Sequence, residues 1–195
     1  KEAVKWYRLS AEQGDAEEQF QLGALLNDRL KDYKEAVKWF RLAAEQGYAK
    51  AQNNLGLMYV RQQGVSFDLE KEIKWFRLAA EQGDSEAQVQ MGFNYLNGRG
   101  VVQDSKEAVK WFRLSAEQGH AKAQYLWGLM YYSGQGVPQD RKEAHKLWLP
   151  LAEQGKAEAQ WRLGEMYRLG QGVPQDFKEA VKWYRLSAEQ GDAEE

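Results

Sequence analysis

The sequence predicts an all-α fold of stacked helix pairs, and three observations carry that prediction. The block KEAVKWFRLSAEQG at 106–119 has counterparts at 1–14, 34–47, 70–83, 142–155 and 178–191, spaced by 33 residues once and by 36 thereafter; a period of that size marks an array of small supersecondary units. Each block is bracketed by helix start and stop residues. The stretch between blocks also carries apolar residues at helical spacing and ends in a glycine-rich turn. Together these give one array of about five units, 1–33, 34–69, 70–105, 106–141, 142–177 and a partial unit 178–195, with eleven helices.

Within a unit, the repeated block is termed helix B. Ala108, Trp111, Phe112, Ser115 and Ala116 share one face, with Lys110 and Arg113 turned elsewhere, the pattern of an amphipathic helix. Asp104, Asp140 and Asp176 stand three residues before Glu107, Glu143 and Glu179, the spacing of a capping box, and mark where helix B begins. Gly14, Gly47, Gly83, Gly119, Gly155 and Gly191 are placed to end it.

The following segment, AKAQYLWGLMYYSG at 121–134, aligns Ala121, Ala123, Trp127, Gly128 and Tyr131 on one face and runs into QGVPQD, a turn. This is helix A. Its recurring glycine, at Gly23, Gly56, Gly92, Gly128 and Gly164, costs about 1 kcal/mol against alanine inside a helix, which points to close approach of helix B as compensation. Two units depart from the pattern. The first loses three residues, with NDRLKDY at 27–33 in place of the glycine turn. The fifth reads LWLPLAEQG, which moves Trp148 one place from the usual position and puts Pro150 inside helix B, predicting a kink near 146–150 at a cost of about 3 kcal/mol.

The pattern A-x-A-Q-x-x-L-G-x-M-Y-x-x-G-x-G-V-x-Q-D followed by K-E-A-V-K-W-F-R-L-A-A-E-Q-G resembles the Sel-one-like repeat (SLR) family, a helix-pair relative of the tetratricopeptide repeat, across the whole chain. The resemblance implies a right-handed α-α superhelix, a solenoid with helix A on its inner face, in proteins that act as scaffolds and adaptors. Bacterial members are often extracytoplasmic and assist complex assembly or host interaction, and eukaryotic ones include adaptors of degradation and chitin-synthesis machinery. A bacterial, extracytoplasmic setting is the expectation that follows. The cysteine-rich branch of the family is not matched, because this chain has no cysteine.

Composition bounds the chemistry. The 27 Lys and Arg against 29 Asp and Glu give no net field for nucleic acid or anionic lipid. Without cysteine there is no disulfide or thiolate nucleophile. No apolar run reaches the roughly 20 residues of a membrane span. The chain opens at Lys1 without an initiator Met, and the expectation is an excerpt or processed form.

Catalysis needs convergent groups, and His120 and His145 occupy unrelated positions without partners at ligand spacing, so both are read as structural. The pairs Gly98/Gly100, Gly134/Gly136 and Gly170/Gly172 follow a helix rather than a strand and lead into an Asp, which reads as turn geometry rather than a phosphate cradle. Basic pairs such as Lys110/Arg113 and Lys182/Arg185 have a Glu four residues beyond each Arg, the arrangement of a solvated, ion-paired face. Trp6, Trp39, Trp75, Trp111 and Trp183 fall beside Ala at core spacing. The expectation is a binding protein, not an enzyme, with no metal, no cofactor, no nucleic-acid partner and no direct membrane insertion.

The candidate site comes from where the units differ. Helix A keeps Ala, Gln, Gly and Tyr nearly fixed, while one further face varies through the triplets Phe20/Ala24/Asn27, Asn53/Leu57/Val60, Val89/Phe93/Leu96, Tyr125/Leu129/Tyr132 and Trp161/Glu165/Arg168. With helix A on an inner face these form a strip, apolar in the middle and polar toward the ends, edged by Glu17, Lys50, Glu86, Lys122 and Glu158. The partner-binding set is Phe20, Leu57, Val60, Val89, Phe93, Leu96, Tyr125, Leu129, Tyr132, Trp161, Glu165 and Arg168, and the expected occupant is an extended or helical peptide segment of a protein partner. The competing expectation is that curvature buries these residues between neighbouring A helices. A second functional expectation is a self-assembling array by head-to-tail association, since residues 1–18 recur unchanged at 178–195.

Overall fold

The computed structural model describes residues 2–191, with side chains for 5–189. Among the described residues there are eleven α-helices and no strand. The B helices are α1 (Glu2–Ala11), α3 (Tyr33–Glu45), α5 (Leu69–Glu81), α7 (Ser105–Glu117), α9 (Arg141–Glu153) and α11 (Phe177–Gly191). The A helices are α2 (Ala16–Leu25), α4 (Ala49–Arg61), α6 (Ser85–Asn97), α8 (Ala121–Ser133) and α10 (Ala157–Leu169). The chain forms two compact units, Lys1–Val102 and Gln103–Glu195, and within each one every helix packs on its neighbours in sequence.

Capping explains the helix starts. Asp32, Asp68, Asp104, Asp140 and Asp176 each accept a backbone N–H two or three residues on. The expected reciprocal half of the capping box does not form. The backbone N–H of Asp140 and of Asp176 donates instead to Tyr131 and Tyr167 of the preceding A helix, both at 2.9 Å, and Glu107, Glu143 and Glu179 turn outward to Lys110, Lys146 and Lys182. Fastening the turn to helix A serves the orphan amide in place of the glutamate. Gly14, Gly47, Gly83, Gly119 and Gly155 follow their helices with positive φ; Gly191 stands at the limit of the described residues.

The helix-A glycine marks the closest approach of the two helix types. A Cβ on Gly56 would lie 2.7 Å from the Phe76 ring, one on Gly23 2.7 Å from Phe40, and one on Gly164 2.7 Å from Tyr184. The rings of Phe40, Phe76, Phe112 and Trp148 are the large, fully enclosed aromatic groups of the fold. The repeated tryptophan one residue earlier is more peripheral: Trp75 and Trp183 are buried, Trp39 and Trp111 half-buried, and Trp6 is 72% exposed. The expectation that all five tryptophans are core therefore holds for two, because the next residue faces the glycine squarely. In the fifth unit Trp148 occupies that phenylalanine slot, against Gly128, and donates from Nε1 to the Tyr125 carbonyl at 3.0 Å.

A glutamine, buried in four of the five units and half-buried in the other, closes every B-to-A corner. Gln19, Gln52, Gln88, Gln124 and Gln160 donate from Nε2 to the carbonyls of Ala11, Ala44, Ala80, Ala116 and Ala152, at 3.0–3.3 Å, a second bond to carbonyls that already accept the N–H of the helix-ending glycine. In the first unit of the fold, Gln46 and Gln82 donate in turn to the Oε1 of Gln19 and Gln52, tying one repeat to the next.

Both irregular repeats are accommodated without breaking the pattern. After α2 the chain continues into a π-helical turn, Leu26–Leu30, that ends at Lys31 with φ 57° and returns a bond from the Asp32 N–H to the Leu26 carbonyl. The wider turn carries the chain from the buried Leu26 to the Asp32 cap without the glycine turn. In α9 the predicted kink at Pro150 produces no interruption: the helix runs from Arg141 to Glu153, the same length as its counterparts. Pro150 takes the place of the exposed Leu114, so its ring and the Lys146 carbonyl it deprives of a donor lie where water can serve them.

Candidate functional site

The variable face of helix A divides by height along the helix. At its first position, Val89 is fully buried and Asn53 is 6% exposed, Phe20 and Tyr125 are half-buried, and Trp161 is 45% exposed. Trp161 lies on α10, the last A helix of the described residues. Val89, being enclosed, is a core residue rather than a partner contact, as the curvature argument expects. At the second and third positions, Leu57, Phe93, Leu96, Leu129, Tyr132 and Glu165 are half-buried, and Val60 and Arg168 are exposed.

In the first unit of the fold, Phe20 is committed to packing, its ring centroid 5.9 Å from Phe40 and 5.3 Å from Tyr48. Leu57 and Val60 on α4, and Phe93 and Leu96 on α6, keep partial access to solvent.

In the second unit an aromatic cluster forms on α8, α9 and α10. Tyr125 and Tyr132 flank the Trp148 ring at 5.9 and 5.5 Å. The Arg162 guanidinium lies over Trp161 at 5.0 Å and Trp148 at 5.9 Å, and its Nε donates to the Tyr125 hydroxyl at 3.2 Å. The Tyr132 hydroxyl donates to Gln171 Oε1, and Arg141 covers the Tyr132 ring at 5.4 Å. Farther along α10, Arg168 clasps Glu165 with two bonds of 2.9 and 2.8 Å, and the Tyr184 hydroxyl donates to the same carboxylate. The Arg168 hydrogen bond, then that of Tyr184, holds the Glu165 carboxyl below its ordinary range. Glu165 and Arg168 thus bring a neutralised pair to the face, not an open charge.

Beside this cluster a cavity of about 440 Å³ opens between the starts of α8 and α10. Ala121, Tyr125, Leu126, Leu151 and Ala159 line it, with Lys122, Lys156 and Glu158 at its charged positions. Sequence reasoning placed Tyr125 on the face but missed the cavity; its one visible signal is Lys156, which follows the helix-ending glycine where other repeats have Asp15, Tyr48, Asp84 and His120.

The structure also shows a buried ion pair that periodicity did not predict. Glu72 replaces the alanine found at Ala36, Ala108, Ala144 and Ala180 and is fully buried. Arg99, in the turn after α6, pairs with it through two contacts of 2.7 and 2.8 Å. Burial pushes the Glu72 carboxyl up, with the Arg99 charge opposing. The two departures from the repeat, Glu for Ala and Arg for the Gln of the other turns, are legible only as a pair.

Elsewhere the chemical candidates have structural places. His120 caps α8, its Nδ1 accepting from the Ala123 N–H at 3.3 Å. His145 meets the edge of Tyr167, and burial lowers its pKa. The second glycine of a turn, such as Gly136, packs against the backbone at Ser105, the start of the preceding B helix. Among the described residues, no group of three or more His, Asp or Glu is placed to hold a metal ion, and no helix is long and apolar enough to cross a membrane.

Comparison with known proteins gives a consistent result. The Sel1 repeat family model matches residues 1–15, 19–48, 49–84, 85–120, 121–156 and 157–192. The chain is similar to a Sel1 repeat protein from Oxalobacter formigenes, at 36% identity over 96% of this chain and 81% of that one, with a TM-score of 0.87. It is similar to c5321, a protective antigen of uropathogenic Escherichia coli strains displaying an SLR fold, at 33% identity over 96% of this chain and 49% of that one, TM-score 0.69. Its fold is also that of the immunity protein PA5088 from Pseudomonas aeruginosa, at 19% identity over 97% of this chain and 74% of that one, TM-score 0.60. No curated protein matches the chain.

Proposed function

From the premise that this chain belongs to the Sel1 repeat family, whose members mediate protein–protein interactions, we propose that it is a scaffold or adaptor that captures a peptide segment of a protein partner on the variable face of its A helices. One observation carries the reading. The fixed positions of α10, Ala159, Leu163, Gly164 and Met166, are enclosed, while the variable Trp161 of the same helix is 45% exposed beside the Arg162 guanidinium. An exposed tryptophan with a cation over its ring supplies apolar area, a face for stacking and a donor, the composition of an interface anchor. Leu57, Val60, Phe93 and Leu96 present similar partial exposure on α4 and α6. The test is retrieval of partners from the source cell by the tagged chain. Trp161→Asp and Phe93→Asp lose the partner with the helical circular-dichroism signal intact, whereas Leu114→Asp, on an exposed B-helix position, keeps it. Retention by both helix-A variants overturns the reading.

A second reading, head-to-tail association of copies, draws on two faces. The identical sequences of α1 and α11 bare different residues: Trp6 is 72% exposed where Trp183 is buried, and Ala188 is exposed where Ala11 is enclosed. Sedimentation at rising concentration gives a growing mass if copies stack, and a constant monomer mass removes this reading.

A further inference from the structure

The turn after α4 lacks the fastenings of its counterparts after α8 and α10. In those two turns Gly134 and Gly170 take the left-handed position after the helix, and Pro138 and Pro174 stiffen the exit. Gln139 and Gln175 reach back from Nε2 to the carbonyls of Tyr132 and Arg168, both at 2.9 Å. The Asp140 and Asp176 N–H groups donate to Tyr131 and Tyr167 at the same distance. At 62–68 each of these is gone. Gln62 is left-handed, with φ 54°, a conformation that glycine adopts without strain. Ser66 stands for the proline and Phe67 for the glutamine. Among the described residues, no hydrogen bond joins the Asp68 N–H to Tyr59, and none is made by Val65, Ser66 or Phe67.

Both ends of this stretch are pinned. Gln63 donates to the Met58 carbonyl at 3.0 Å, Gly64 packs against the Tyr33 backbone, Val65 rests on the core, and Asp68 caps α5 through the Lys71 N–H at 3.0 Å. Ser66 and Phe67 span the interval between those anchors, and Phe67 is 59% exposed. In the fastened turns the side chain at this position lies over the third residue of the variable face, Tyr132 or Arg168; on α4 that residue is Val60, 38% exposed. We propose that Ser66–Phe67 is a mobile flap, hinged at Val65 and Asp68, that swings the Phe67 ring on and off Val60 while α4 and α5 stay folded. Few bonds hold the arm open or shut, so local opening costs little, and laying the ring on Val60 takes apolar surface of both out of water. The flap gives this edge of the variable face an open and a covered form. It goes beyond the peptide-capture reading, because it is a property of the chain alone and is measured without a partner.

Nuclear magnetic resonance of the full chain tests it. The backbone order parameter should fall below about 0.6 at Ser66 and Phe67, against about 0.85 at Gln139 and Gln175. The Asp68 amide should exchange with solvent at least tenfold faster than those of Asp140 and Asp176. The Val60 methyl resonances should carry a ring-current shift that Phe67→Ala removes while leaving Asp68 exchange fast. The triple variant Gln62→Gly, Ser66→Pro, Phe67→Gln installs the fastened turn and should raise the order parameter at position 67 to that of Gln139 and slow Asp68 exchange at least tenfold. An order parameter at Phe67 equal to that at Gln139, Val60 methyls unmoved by Phe67→Ala, or unchanged Asp68 exchange in the triple variant overturns the proposal.

Discussion

Replacing Arg99 with glutamine, the residue at the corresponding position of three other turns, isolates one term in the stability of the first unit. In the native chain the Glu72 carboxylate is fully buried and meets the Arg99 guanidinium at 2.7 and 2.8 Å. Taking away one partner of a buried pair leaves a desolvated charge, a loss of about 3–5 kcal/mol, and the partial exposure of Arg99 places the expectation near the lower end, about 3 kcal/mol at pH 7. Glu72→Ala restores the alanine of the other repeats, so removing the carboxylate as well should bring the double variant back to within about 1 kcal/mol of the native chain. Urea unfolding of the four species measures the coupling directly. The pH dependence gives a second check. Burial raises the Glu72 carboxyl in the folded chain, so between its ordinary and raised values the folded chain holds more protons than the unfolded one, and stability falls as pH rises through that window. Arg99→Gln removes the group that opposes the rise. Its deficit should therefore shrink on acidification from pH 7 toward the ordinary glutamate range, and this recovery should vanish once Glu72 is alanine. A single Arg99→Gln variant within about 0.5 kcal/mol of the native chain would refute the reasoning, since that is the scale of an ordinary surface change.

Gly56→Ala should destabilise by about 1–2 kcal/mol despite alanine's better helix propensity, because a Cβ 2.7 Å from the enclosed Phe76 ring overpacks the contact; thermal unfolding decides it. Gln52→Ala should cost about 1–3 kcal/mol, since it strips a donor from the Ala44 carbonyl and an acceptor from Gln82 in a buried setting, again read by urea unfolding. Tyr132→Ala should lower stability by about 2–3 kcal/mol, less than a fully buried aromatic, because its ring rests on Trp148 and its hydroxyl on Gln171. Trp161→Ala should stay within about 1 kcal/mol of the native chain, so that any loss of partner binding there belongs to the surface and not to the core.

How much of this was legible in the sequence depends on whether a feature repeats. The Asp caps, the glycine stops and the helix-A glycine recur, and recurrence exposed both the helix boundaries and the close approach at Gly56 and Gly128. The fixed glutamine of helix A was equally visible as a pattern, but its target is a backbone carbonyl, to which sequence gives no pointer. Features that occur once were harder. Trp148 was visible as a shift of one residue, yet only packing shows that it fills the phenylalanine slot. Pro150 was visible too, and the helix continues through it, because a proline on the exposed side loses a bond without disturbing the core. For the candidate site, the variable face was identified as a face. Its depth was not: Val89 and Trp161 occupy the same repeat position, yet one is fully enclosed and the other 45% exposed, a difference set by packing and not by the repeat pattern.

The central claim is that partners meet the A helices, and site-specific photo-crosslinking in the source cell tests it most directly. A benzophenone amino acid placed at Trp161 should yield a discrete protein adduct, one placed at Leu114 on the exposed side of α7 should yield none, and the Trp161 adduct should map to a short peptide segment of its partner. Adducts from position 114 with none from 161 would contradict the account and move the interaction to the B helices.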